Sequence, residues 1–132
     1  IKGMHTAMTQ VAIGGKEGWS PREAGRLGAR LRNQYDYLGQ LGRQVEAGLQ
    51  PLDGRLDNRV GLFIESGRGT YEGMRRGMMA DDGLTEEMRV LGAAAHCTDC
   101  PPISGTWEPI GSLPGIGDTA CMANCACSME FR

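Results

Sequence analysis

The chain has 132 residues, with 14 basic and 16 acidic side chains and a formal net charge of −2 at pH 7, a balance that lacks the general attraction to phosphate of most nucleic-acid binders. Only 5% of the residues are aromatic and 21 are glycine, whereas an average chain has about 7% glycine. This composition predicts one thinly packed domain, or a helical part with a small appendage, and it argues against a tightly packed enzyme core.

The N-terminal stretch predicts a short amphipathic helix over residues 2–13, which ends at Gly14 and Gly15. The stretch lacks the basic-then-apolar plan of a signal peptide, and the chain contains no run of 18 apolar residues. We therefore expect an intracellular protein without a membrane span. Since Ile1 is the first residue and the helix has no start signal, we also expect the chain to be the C-terminal portion of a longer protein.

The first long helix is predicted over residues 21–47. Ser20 marks its start, because the serine hydroxyl can accept from the backbone N–H of Glu23 while the glutamate reaches back, and Pro21 suits the first helical position. Trp19 is expected to pack back onto the helix. A narrow apolar stripe that needs a partner helix is formed by Ala24, Leu27, Leu31, Leu38, Leu41 and Val45.

The second long helix is predicted over residues 54–80, after a linker in which Pro51 stops the first helix and Asp53 or Asp57 can cap the next. Together the two helices form an antiparallel hairpin about 35–40 Å long, at 1.5 Å per residue. Nine glycines lie in the interiors of these helices, beyond the first residue of each, and each costs about 0.8–1 kcal/mol where it is exposed. The hairpin is therefore expected to depend on packing against other chains.

Residues 85–91 are predicted to form a last short helix, capped by Thr85 and closed by Gly92. Beyond it four prolines crowd between positions 101 and 114, and the helical periodicity disappears. The chain thus divides into a helical region, residues 1–92, and a cysteine-rich region, residues 93–132, which is too small to build its own core. The predicted fold class is mainly α, with a long helical hairpin, a short helix and a small zinc-ribbon-like module.

All five cysteines lie between positions 97 and 127. Cys97 and Cys100 form a C-x2-C pair, and Cys121, Cys125 and Cys127 form a C-x3-C-x-C cluster. A C-x2-C turn places two thiolates at a suitable separation for one ion, and the later cluster supplies the rest of a tetrahedral shell. The pattern predicts a zinc site. Disulfides and free thiols are the alternatives, and the odd number of cysteines in a chain expected to be intracellular disfavours disulfides.

Five thiols exceed the four positions that a structural zinc offers. The predicted ligands are four of Cys97, Cys100, Cys121, Cys125 and Cys127, with Cys121 or Cys127 as the spare thiol. His96 is interpreted as a neighbour of the site or a helix-end cap. Four sulfurs leave no position for water, so we expect a structural zinc and no enzyme activity. A zinc deaminase is excluded because its H-x-E motif is absent and the prolines follow the C-x2-C pair.

The arginine pairs on the long helices, Arg30 with Arg32 and Arg75 with Arg76, are expected to be solvated rather than to contact nucleic acid. A zinc ribbon that binds nucleic acid is nevertheless the alternative function, although the net negative charge disfavours it.

The C-terminal run EEMRVLGAAAHCTDCPPISGTWEPIGSLPGIGDTACMANCACSMEFR resembles the tail of minor head, or head-morphogenesis, proteins of tailed bacteriophages. The shared pattern comprises a short helix with glutamate and arginine, H-C-x2-C, a W-x-P-I-G loop, L-P-x-x-G, and a last cysteine cluster followed by an aromatic residue and arginine. The preceding run PLDGRLDNRVGLFIESGRGTYEGMRR looks like the long helix of that family. The resemblance covers about residues 34–132.

The resemblance implies a non-enzymatic structural role in a virion, in the head or its connector. It implies other virion proteins as partners, namely capsid, portal or connector chains, and many copies in an assembly built in the host cytoplasm. A glycine-rich hairpin that needs partners and a zinc-clamped tail both suit such an assembly.

Overall fold

The computed structural model describes residues 1–15, 17, 19–92 and 95–132. Within these residues the fold is mainly helical, with a small three-stranded antiparallel sheet. The elements in chain order are α1 (Lys2–Ala12), α2 (Pro21–Glu46), α3 (Gly54–Asp81), β1 (Glu86–Val90), β2 (Trp107–Pro109) and β3 (Ser128–Phe131), with single-turn 3-10 helices at Pro101–Ile103 and Met122–Asn124. No described helix is both long and apolar enough to cross a membrane.

The three helices begin and end within one residue of their predicted bounds. Ser20 Oγ accepts from the Glu23 N–H at 3.3 Å, and the Glu23 carboxylate accepts from the Ser20 N–H at 2.7 Å, so the predicted capping box is confirmed. The Asp53 carboxylate accepts from a backbone N–H in the first turn of α3 at 2.9 Å. The Trp19 indole donates to Gln10 Oε1 at 2.6 Å, which ties the start of α2 to α1.

Helices α2 and α3 contact each other in antiparallel order. The contacting pairs, in order along α2, are Arg26 with Asp81, Gln34 with Ser66, and Gln44 with Arg59. Within the predicted apolar stripe of α2, Leu27 and Leu41 are buried, but Leu38 is 40% exposed. The hairpin is therefore held by polar contacts along its length, and its stripe is only partly covered.

A polar network fills the space between the three helices. His5 and Thr9 of α1 are fully buried, although the sequence pattern assigned the inner face of α1 to its apolar residues. His5 Nδ1 lies 2.6 Å from Thr70 Oγ1, and Ser66 Oγ, which lies 3.4 Å from His5 Nε2, donates to Gln34 Oε1 at 3.1 Å. Burial lowers the pKa of His5 below its ordinary value, and the positive charge of Arg30 lowers it further.

The prediction of a helix over residues 85–91 is wrong, because this segment forms β1, the central strand of the sheet. Its side chains alternate in burial, and the two innermost are the charged residues Glu87 and Arg89, both fully buried. Pairing with β2 on one edge and β3 on the other overrides the local helical spacing. The predicted boundary between residues 92 and 93 adjoins residues 93–94, which lie outside the described residues, and it stays a prediction.

The prediction that Arg75 and Arg76 are solvated is also wrong. Arg76 Nε lies 2.7 Å from the buried Glu87 carboxylate, which joins α3 to the central strand. Arg75 Nη1 donates to the Met129 carbonyl at 3.0 Å, and its guanidinium lies 5.3 Å from the centre of the Phe131 ring. These arginines therefore dock the sheet onto α3.

Candidate metal centre

The five cysteines pack together in one hydrophobic cluster. The cluster also contains Leu113, Ile116 and Met129. Two single-turn helices set the spacing of the sulfurs, because Cys97 and Cys100 precede the first turn while Cys121 and Cys125 flank the second. Between this last pair Met122 has a φ of 48°, a left-handed conformation that is uncommon outside glycine. Conformations of this kind concentrate at functional sites.

The sulfurs form two groups of three that share one member. One group is Cys97, Cys100 and Cys121, and the other is Cys100, Cys125 and Cys127, with all sulfurs of a group within 4.8 Å of one another. The Cys97 and Cys100 sulfurs are 3.3 Å apart, and those of Cys100 and Cys121 are 3.9 Å apart. Tetrahedral coordination at 2.3 Å per Zn–S bond separates sulfurs by about 3.8 Å. The cysteines are thus positioned to hold a metal ion.

None of the cysteines, all of which are described, forms a disulfide, and the sulfur separations far exceed the S–S bond length of about 2.05 Å. Cys100, Cys125 and Cys127 are at most 2% exposed, and Cys97 and Cys121 are half-buried. Both candidates for the spare thiol therefore remain, since Cys121 belongs to one sulfur group and Cys127 to the other.

The surroundings perturb the thiols in opposite directions. Hydrogen bonding from the Cys100 thiol lowers the pKa of Cys97 to about 6, whereas burial raises the pKa of Cys100 to about 12. A metal ion must displace the protons of its thiol ligands before it binds. Burial therefore opposes the deprotonation of Cys100, which both sulfur groups share, and a bound ion would offset that cost.

Arg89 is the member of the site that the sequence did not reveal. Its Nη1 lies 3.7 Å from Cys100 Sγ and 3.6 Å from Cys125 Sγ. Its Nη2 donates to the Pro114 carbonyl and, at 3.2 Å, to the Gly115 carbonyl. In the sequence Arg89 lies in a segment predicted to be helical, eight residues before the first cysteine, and no pattern connects it with sulfur.

Two further polar side chains hold the cluster. Thr119 Oγ1 lies 3.5 Å from the Cys100 sulfur and 3.3 Å from the Cys121 sulfur. Arg68 of α3 donates to the Cys127 carbonyl at 2.6 Å, which ties the cysteine cluster to the hairpin. His96 is exposed and does not lie in either group of potential metal ligands.

The donor set favours a thiophilic ion. Thiolate ligands select zinc, Cu(I) or iron–sulfur clusters over hard cations such as magnesium. Both sulfur groups consist of cysteine alone, and Arg89 and Thr119, which contact these sulfurs, cannot act as a general base at neutral pH. Comparison with protein-family models, with curated proteins and with solved structures finds no match for this chain.

Proposed function

We propose that the chain is a non-enzymatic structural component of a tailed-bacteriophage virion, of the minor head or connector-associated type, in which zinc bound by the cysteine cluster clamps the C-terminal tail. The proposal combines the resemblance of the C-terminal run to phage minor head proteins with the physical character of the cluster. Its partners are other virion proteins, such as capsid, portal or connector chains.

The buried all-sulfur cluster is the observation that carries the structural role. Three of its five sulfurs are at most 2% exposed, so a substrate has little access to an ion held there. A catalytic zinc keeps an open position and usually has an acid or base beside it. Apart from the other cysteines, the side chains that hydrogen-bond to these sulfurs in the described part of the chain are Arg89 and Thr119. A zinc ion here stabilises the fold of the tail, because metal binding and folding are coupled in small cysteine-rich modules.

The hairpin supports a role in an assembly. It presents large apolar side chains to solvent. In the two long helices and the linker between them these are Tyr35 (49% exposed), Tyr37 (59%), Leu38 (40%), Leu49 (77%), Leu52 (76%), Val60 (47%) and Ile64 (66%). We propose that neighbouring chains cover these side chains, since contiguous exposed apolar patches mark contacts between proteins. Polar contacts between the helices and apolar side chains on the hairpin surface both suit a subunit that is stabilised by neighbouring chains.

The alternative, a zinc ribbon that binds nucleic acid, is disfavoured by how the arginines are used. Phosphate binding needs basic side chains that face solvent. Arg68, Arg75 and Arg76 instead donate to the C-terminal segment or pair with Glu87. Retention of the purified chain on DNA at 50 mM salt, with steep loss at 200 mM, would favour the alternative.

The virion role is tested on purified particles of the phage that encodes the chain. We expect peptides of this chain in the particles by mass spectrometry, at a fixed ratio to the capsid protein through a density gradient, and density for its helical hairpin against neighbouring chains in an electron cryo-microscopy map. Absence of the chain from complete, infectious particles would contradict the proposal.

A further inference from the structure

Arg89 brings a full positive charge into the interior, and Glu87 does not balance it. Glu87 lies two residues earlier on the same face of β1, but its carboxylate is 2.7 Å from Arg76 Nε and accepts from the Leu113 N–H at 3.0 Å. In the described part of the chain no carboxylate lies within ion-pair distance of Arg89. Arginine stays protonated in proteins, so the fully buried Arg89 side chain carries a positive charge. The groups around this charge are main-chain carbonyls and cysteine sulfurs.

A metal-bound cysteine cluster supplies the missing negative charge. Either sulfur group offers three thiolates, which carry a net charge of −1 around one divalent ion, and a fourth cysteine ligand would make this −2. A buried anion of this kind is costly unless a cation pairs with it. The Arg89 guanidinium, whose Nη1 contacts both the Cys100 and the Cys125 sulfur, offsets one unit of that charge. With neutral thiols, Arg89 would have only carbonyl dipoles, such as that of Gly115, to offset its buried charge.

We infer that Arg89 is the counter-ion of the metal centre, a positioning residue that fixes the Cys100 and Cys125 sulfurs and favours their metal-bound, negatively charged form. This inference rests on the proposed zinc site. Hydrogen-bonding partners of metal ligands typically change metal affinity by about 10–100-fold when they are replaced. Arg89 contributes both an N–H donor and a charge, so its two contributions can be separated by substitution.

The experiment uses the full chain, reduced and kept anaerobic, with Co²⁺ as the spectroscopic probe and Zn²⁺ in competition. Arg89→Gln removes the charge, and Arg89→Lys keeps the charge without the planar fork. Arg75→Gln is the control, since Arg75, like Arg89, donates to a main-chain carbonyl but hydrogen-bonds to no cysteine sulfur in the described chain. We expect Zn²⁺ affinity to fall by about 10–100-fold in Arg89→Gln, less in Arg89→Lys, and little in Arg75→Gln. We also expect the sulfur-to-cobalt charge-transfer band to shift in both Arg89 variants.

The outcomes separate the role of Arg89 from the existence of the site. Unchanged affinity and an unshifted band in Arg89→Gln would overturn the inference, and so would equal losses in Arg89→Gln and Arg75→Gln, which would indicate a general effect on folding. If Arg89→Gln does not fold, the band position in Arg89→Lys decides, because a merely structural role would not move it. Failure of the unmodified chain to bind Co²⁺ or Zn²⁺ would overturn the zinc site itself.

Discussion

The ion pair between Arg76 and Glu87 is predicted to be the main electrostatic link between the helical hairpin and the sheet. Glu87 is fully buried, its carboxylate lies 2.7 Å from Arg76 Nε, and the Arg76 side chain is 20% exposed. Removing one partner of a buried pair costs about 3–5 kcal/mol, because the other charge is left uncompensated. Because Arg76 is partly exposed and water can solvate its charge, we expect Glu87→Gln to lower the free energy of unfolding by an amount at the lower end of this range, about 3 kcal/mol.

Urea unfolding of Glu87→Gln, followed by circular dichroism and tryptophan fluorescence, measures this cost. With an m value of about 2 kcal/mol/M, a loss of about 3 kcal/mol lowers the midpoint by about 1.5 M. Glu86→Gln is the matched control on the neighbouring position of β1, since its pair with Arg132 has the same 2.7 Å separation but is exposed, at 41% and 58%. The control should lose less than about 1 kcal/mol. Equal midpoints for the two variants would refute the assignment of a buried docking pair.

Three further predictions concern the helices and the cluster. The pKa of the buried His5 is lowered, so as pH falls below about 6.5 the unfolded chain takes up a proton on this side chain before the folded chain does. The free energy of unfolding should therefore be highest above this pH and decline toward pH 5.5. Urea denaturation at a series of pH values should show a weaker dependence of stability on pH in His5→Gln. A Cβ at Gly92 would lie 2.5 Å from the Ala126 carbonyl oxygen, whereas one at Gly73 would meet open space. In thermal unfolding, Gly92→Ala should therefore destabilise the protein by about 1–3 kcal/mol, and Gly73→Ala should stabilise it by about 0.4–1 kcal/mol. A Gly92→Ala variant more stable than Gly73→Ala would contradict this packing. Cys100→Ser removes the sulfur common to both groups. The variant should lose metal binding and change Trp107 fluorescence, while far-ultraviolet circular dichroism still shows the helices. Loss of the helical signal as well would show that the hairpin and the tail fold as one unit.

The helices could be predicted from the sequence because their signals are local. Ser20 and Glu23 form the capping box within one turn, and Pro51 separates the two long helices whatever the rest of the chain does. The proximity of the cysteines could be predicted for a similar reason, since a C-x2-C spacing is useful mainly when the sulfurs converge. The division of the sulfurs into two groups that share Cys100 could not be predicted, because it depends on the conformations of the loops.

The sheet and its charged interior could not be predicted because they depend on distant partners. The inner positions of β1 are Glu87 and Arg89, so a search for apolar alternation finds no strand there. Glu87 pairs with Arg76 of α3, and Arg89 lies against cysteine sulfurs and the Gly115 carbonyl, so each buried charge meets groups that are distant in the sequence. The missed strand, the arginines of α3 and the role of Arg89 are thus three parts of the same long-range electrostatic arrangement.

Metal content and thiol reactivity of the freshly purified chain, measured together under anaerobic conditions, decide whether the cysteine cluster holds a zinc ion. We expect zinc to co-purify, the buried cysteines to resist alkylation, and a chelator to release the ion and expose the thiols in one step. A chain that carries no metal, with its cysteines oxidised in pairs or all freely alkylated before chelation, would rule out a zinc site.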